Sequence, residues 1–171
     1  MIRSINMKLF ACVLGSLIAL PSLFNVAQAK TSMDSILESQ VIPCSSELKD
    51  LATVTLKENP HRMLPYVSKS DDVHLFNALA VTTYRDRQSH VTFHGVKNIE
   101  GGCDTSVTES YILQTSCADA RHEAFSKWDF EGKLNEHTYV LKSKKVIGKQ
   151  AFLTEQFSNF CLVTTRQVIS N

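Results

Sequence analysis

The sequence lacks most of the signatures by which a small protein announces chemistry. It contains no Cys-x-x-Cys, no Gly-x-Ser-x-Gly and no Gly-Lys-Ser/Thr, so the usual marks of a dithiol redox centre, a zinc knuckle, a serine hydrolase and a phosphate loop are all missing. No Asn-x-Ser/Thr site occurs either, which leans towards a bacterial periplasm or secreted space. There is no internal sequence repeat and no low-complexity segment. The longest apolar run, residues 9–20, is short of the roughly 20 residues a membrane-spanning helix needs.

That short run sits in a recognisable context. Arg3 and Lys8 precede it, Pro21 follows, and Ala27-Gln28-Ala29 forms a small-x-small cleavage site. Residues 1–29 therefore read as a secretory signal peptide, and residues 30–171 as one exported domain. Cys12 is no lipid acceptor on this reading, because the apolar segment follows it and the bulky Phe10 lies just before it. Removing Arg3 and Lys8 from 18 basic residues leaves 16 against 17 acidic ones. A nearly neutral chain offers nucleic acid no general electrostatic footprint. No transmembrane segment is expected in the mature chain, and no motif calls for a cofactor.

What the exported chain does have is four cysteines, Cys44, Cys103, Cys117 and Cys161. In an oxidising compartment an even set reads as two disulfides, and four cysteines allow three pairings. Strand geometry narrows them. "ESYILQTSC" reads as a strand, and Glu109 to Thr115 would span roughly 23 Å at about 3.3 Å per residue. Cys103 and Cys117 flank that strand, whereas a bond needs Cα atoms within about 7 Å. The expectation is Cys117–Cys161 between strands, and Cys44–Cys103 tying helices to sheet.

Periodicity divides the chain into helices first and strands later. In "TSMDSILESQVIP" Met33, Ile36, Leu37 and Val41 mark one helical face, with Thr31 or Ser32 as cap and Pro43 as stop. "CSSELKDLATVTLKENP" gives a second helix through Leu48, Leu51 and Ala52. "HRMLPYVSKSDD" has no period and contains Pro65, so it reads as a loop. "LFNALAVTTYRDRQSHVTFHGVKN" reads as a hairpin around residues 85–89, although Ser70, Asp71 and Asp72 could instead open a helix through Val73, Phe76 and Ala80. A phase shift after Gly95 suggests a bulge. "ESYILQTSC", "EHTYVLKSK" and "QAFLTEQFSNFCLVTTRQV" supply three more strands, and "CADARHEAFSKW" a short helix. The fold class is α+β, with N-terminal helices packed on a disulfide-braced antiparallel sheet of about five strands.

Candidate chemistry is thin. His90 and His94 share a strand face about 13 Å apart, too far for one zinc. "HEAFS" begins like a metalloprotease motif but has Ser126 where the second histidine belongs. No metal site is expected. Cys117 with Asp119 and His122 invites a Cys–His reading, against which stands a plain disulfide followed by a polar turn. "LKSKKVIGK" could meet an anionic surface, but reads first as a solvated hairpin tip that also discourages edge pairing.

What remains is contact surface. Trp128 and Phe130, with Arg85 and Arg87 at a turn, are the residue types found at interface hot spots, although Trp128 can equally be core. The reading is an exported, non-enzymatic protein that binds a protein partner. An inhibitor or immunity-type protein blocking a secreted or cell-wall-degrading enzyme fits its size. The competing readings are a small periplasmic hydrolase with an unmarked Cys/His or acidic site, and a subunit of an envelope or secretion assembly.

Overall fold

A computed structural model describes residues 30–67, 75–157 and 159–170. The leader and Ser70–Asp72, where a competing helix start was read, lie outside the described residues.

Helix α1 (Ser32–Ser39) begins where Thr31 can close a capping box: its hydroxyl accepts from the Asp34 N–H, and the Asp34 carboxylate accepts from the Thr31 N–H at 2.7 Å. Met33 and Ile36 face the core, but the helix ends at Ser39, so Val41 lies beyond it and points to solvent. Helix α2 (Ser45–Leu56) starts from Cys44 in the left-handed region, and buries Leu48, Leu51, Ala52 and Leu56. Each fully buried leucine is worth roughly 1.5–3 kcal/mol. His61 joins helix to sheet: its Nε2 accepts from the Ser32 N–H at 2.9 Å, while its Nδ1 donates to the Asn59 carbonyl at 2.7 Å.

The sheet has eight strands, not five. They are β1 (His61–Val67), β2 (Leu75–Thr83), β3 (Gln88–Lys97), β4 (Cys103–Leu113), β5 (Trp128–Asn135), β6 (Thr138–Ser143), β7 (Lys149–Gln156) and β8 (Phe160–Ser170). Helix α3 (Cys117–Glu123) falls between β4 and β5. Three misreadings account for the difference. The expected loop at residues 61–67 is β1, which tolerates Pro65 because it is an edge strand with no neighbour beyond it. The stretch after α3 is β5, the other edge. The last run is two strands, broken by a turn in which Phe157 takes a positive φ of 51°.

All pairings are antiparallel, in the order β1-β2-β3-β4-β8-β7-β6-β5. The sheet is thus two four-stranded meanders joined along their fourth strands, near Thr108 opposite Arg166. Each meander follows its own helices and has its own core. α1 and α2 close Phe76, Ala78, Ala80, Val91 and Phe93. α3 closes Leu141, Ala151, Leu153 and Val163, with Phe125 and the half-buried Trp128. Each half is also stapled alike. Cys44, at the start of α2, is bonded to Cys103, the first residue of β4 (Cα–Cα 5.5 Å), and Cys117, opening α3, to Cys161 near the start of β8 (4.8 Å). Buried Cys103, Thr105 and Val107 on β4 correspond to Cys161, Val163 and Thr165 on β8. The architecture repeats although the sequence does not. The second bond runs from helix to strand, rather than between strands as expected.

No bulge occurs at Gly95, since β3 keeps unbroken register with both neighbours. The glycine is there for clearance: a Cβ would lie 2.9 Å from Leu48 Cδ1 and 3.3 Å from Cys44 Cβ.

Candidate functional site

Among the described residues the three helices pack on one face of the sheet and none covers the other, whose character changes across the strands. On β4 it presents Asp104, Ser106, Thr108 and Ser110, and on β3 His90, Thr92 and His94. On β2, however, it presents Leu75, Leu79 and Val81, all exposed, while Phe76, Ala78 and Ala80 fill the core behind. A strand apolar at both parities has the pattern of one covered on both faces.

Register gathers these side chains into one patch. Leu79 pairs with Leu64 of β1, Leu75 with Val96 of β3, and Val81 lies between Arg62 and His90. Leu64 is 75 % exposed and Tyr66, two residues on, 65 %. Asn77 beside Tyr66 contacts His94, its Nδ2 3.1 Å from the His94 Nδ1. The result is an apolar surface on β1–β3 bounded by Arg62, His90 and His94. Contiguous exposed apolar area of this kind marks interaction sites more often than isolated exposed leucines do.

The structure separates the interface residues expected from sequence. Arg85 and Arg87 lie in the turn between β2 and β3, closed by the Tyr84 N–H donating to the Arg87 carbonyl at 2.8 Å. Arg85 is exposed. Arg87 is held: its guanidinium stacks 4.6 Å from the Tyr84 ring centre and 4.3 Å from that of Tyr111, and pairs with Asp86 at 3.0 Å. Burial first, and the Glu109 carboxylate second, raise the Tyr84 hydroxyl well above its usual range; burial also raises Tyr111. Phe130 lies five strands from β3, on β5. It is half exposed under the Arg121 guanidinium at 4.5 Å and beside Tyr139. Trp128 packs edge-on against Phe125 at 5.3 Å, partly buried at the border of the second core.

Sequence reasoning missed the β1–β3 patch because it read β1 as a loop. "LFNALAVTT" did carry the signal, since both its parities are apolar. Cys117, the thiol a Cys–His site would use, is bonded to Cys161. Among the described residues no three His, Cys, Asp or Glu side chains gather where they could hold a metal ion. The grooves along α1 are open; that between α1 and β1, about 410 Å³, is lined by Ser32, Ser35, Ile36, Ser39, Arg62 and Met63 without a paired acid and base. Among the described residues no helix is long and apolar enough to cross a membrane. No family model matches the chain, and no curated protein or solved structure resembles it at a significant level.

Proposed function

We propose that this chain is an exported, non-enzymatic binding protein that docks a protein partner on the bare sheet face over β1–β3. One observation carries the reading. β2 is apolar on both faces, yet among the described residues helices cover only one of them. A partner completes the burial that the sequence of β2 is written for. An inhibitor or immunity-type protein, blocking a secreted or wall-degrading enzyme, is the form that best fits a small disulfide-braced scaffold offering a broad surface in place of a deep pocket.

The test is site-specific photocrosslinking in the secreting cell. A photoreactive residue at Leu79 should give a discrete adduct with one protein, and the same residue at Val54 on the outer side of α2 should give none. Adducts from neither position would remove the proposal's basis. An adduct from Val54 alone would move the interface to the helices.

A further inference from the structure

Two turns at one end of the sheet are built in a way that solubility does not explain. β4 begins, β8 ends and β7 begins at this end, because β4–β8 and β8–β7 are antiparallel. The turn at 144–148 is fixed from several sides. Ser143 Oγ accepts from the Lys145 and Val146 N–H groups at 3.2 and 3.1 Å, and the Lys149 N–H donates to the Val146 carbonyl at 3.3 Å. Gly148 sits at φ +72°, where a Cβ would fall 2.5 Å from the Val168 carbonyl oxygen. At the apex of this turn Ile147 is fully exposed.

The turn at 98–102 repeats the plan. Asn98 Oδ1 accepts from the Glu100 and Gly102 N–H groups at 3.1 and 2.8 Å, Gly101 takes φ +85°, and Ile99 is fully exposed. Turn apices favour Gly, Pro, Asn, Asp and Ser for stated steric and hydrogen-bonding reasons; a β-branched apolar residue gains nothing there. Both turns satisfy their backbones with a polar side chain and a glycine, and then hold an isoleucine out.

Charge supplies the partner's chemistry. "KSKKVIGK" places Lys142, Lys144, Lys145 and Lys149 around Val146 and Ile147 with no acid in the run, and Lys97 adjoins the second turn. Lys144 is paired with Asp129 at 3.0 Å, and the second turn carries two acids, Glu100 beside Ile99 and Asp104 opposite Val96. An apolar tip ringed by lysines matches the boundary of an anionic bilayer, where the aliphatic side chain enters the acyl edge and the ammonium groups stay among phosphates.

We infer that the 98–102 and 144–148 turns form a peripheral docking surface for an anionic phospholipid bilayer. Ile99 and Ile147 are its inserting side chains, and Lys97, Lys142, Lys145 and Lys149 its headgroup contacts. This surface is separate from the β1–β3 face, and either can stand without the other.

The experiment is co-sedimentation of the processed protein, purified from secreting cells, with mixed phosphatidylcholine–phosphatidylglycerol vesicles and with phosphatidylcholine alone. The wild type should bind the mixed vesicles, bind pure phosphatidylcholine far less, and release at high salt, where screening shortens to about 3 Å. The Ile99→Asp/Ile147→Asp variant should lose about tenfold or more of the affinity, from two aliphatic insertions. Phe157→Asp, an equally exposed apolar residue at the opposite end of the sheet, should bind as wild type. Thermal melts check that the variants remain folded. Failure of the wild type to bind mixed vesicles would overturn the inference, and so would unchanged binding by the double variant. Binding to a protein that depends on Ile147 without binding to vesicles would overturn it in favour of a protein contact.

Discussion

Gly95 shows how far one atom decides the packing of a helix on this sheet. α2 comes down at Leu48 and Cys44 so closely that a single added Cβ would meet both. Gly95→Val should therefore destabilise the fold by about 1–3 kcal/mol through overpacking, read as a fall of several degrees in Tm, whereas substitution at the exposed Val54 should leave Tm nearly unchanged. The stacked tyrosines make a second prediction at this scale. Tyr84 and Tyr111 hold their protons more tightly folded than unfolded, because burial penalises the phenolate. A raised folded pKa contributes stability that is complete below the unfolded value near 10 and lost as pH rises towards the folded value. Tm should fall on alkaline titration from about pH 10, and the 295 nm absorbance of the native protein should show part of its tyrosine ionising only as it unfolds. Ionisation of all tyrosines near pH 10 with no loss of stability would contradict the stacked arrangement.

At the scale of elements, what could be read in the sequence follows from burial. α1 and α2 bury one face each, so their period is visible, and of the two caps the sequence offered, Thr31 or Ser32, the structure uses Thr31, with Asp34 closing the box. Burial alone would raise the Asp34 carboxyl, but hydrogen bonds from Thr31 and the Lys49 ammonium at 3.2 Å outweigh it and hold it below its ordinary 3.8. Its contribution is present above that value and is lost as pH falls through the depressed folded value. Thr31→Ala should cost about 1 kcal/mol at neutral pH, measured by denaturant unfolding, and the difference from wild type should shrink in acid. The edge strands were illegible for the opposite reason. β5 buries almost nothing and shifts register at two places, so "WDFEGKLN" shows no alternation. β1 carries Pro65 and outward Leu64 and Tyr66, which break the pattern of a half-buried strand. The turn between β7 and β8 has no glycine to announce it, because Phe157 itself takes the positive φ. The bare apolar patch was out of reach for a related reason: Leu64 and Leu79 are neighbours only once β1 is known to pair with β2. For the cysteines, by contrast, strand length excluded Cys103–Cys117 and left two pairings; the structure has the expected one, Cys44–Cys103 with Cys117–Cys161, with Cys103 starting its strand and Cys117 starting a helix.

The molecule as a whole is two helix-and-meander halves fused along β4 and β8, each with a core and a disulfide of its own. Closing loops of 59 and 44 residues, the two bonds each stabilise by roughly 4 kcal/mol in the chain-entropy account. The halves should loosen separately. Cys44→Ser/Cys103→Ser should speed amide exchange in α2 and β1–β3 while β5–β7 stay protected, and Cys117→Ser/Cys161→Ser should do the reverse. Equal loss of protection everywhere in either variant would mean a single cooperative core. Among the described residues, helices and staples consolidate one side of the sheet, and the other is the face proposed above for a partner.

The proposed function requires delivery to an oxidising compartment, with which the two disulfides are compatible. Intact mass and non-reducing peptide mapping of the protein recovered from its producing cell test this most directly. The expected result is a chain beginning at Lys30 with Cys44 linked to Cys103 and Cys117 to Cys161. An intracellular chain that keeps residues 1–29 and has Cys44, Cys103, Cys117 and Cys161 all reduced would contradict it.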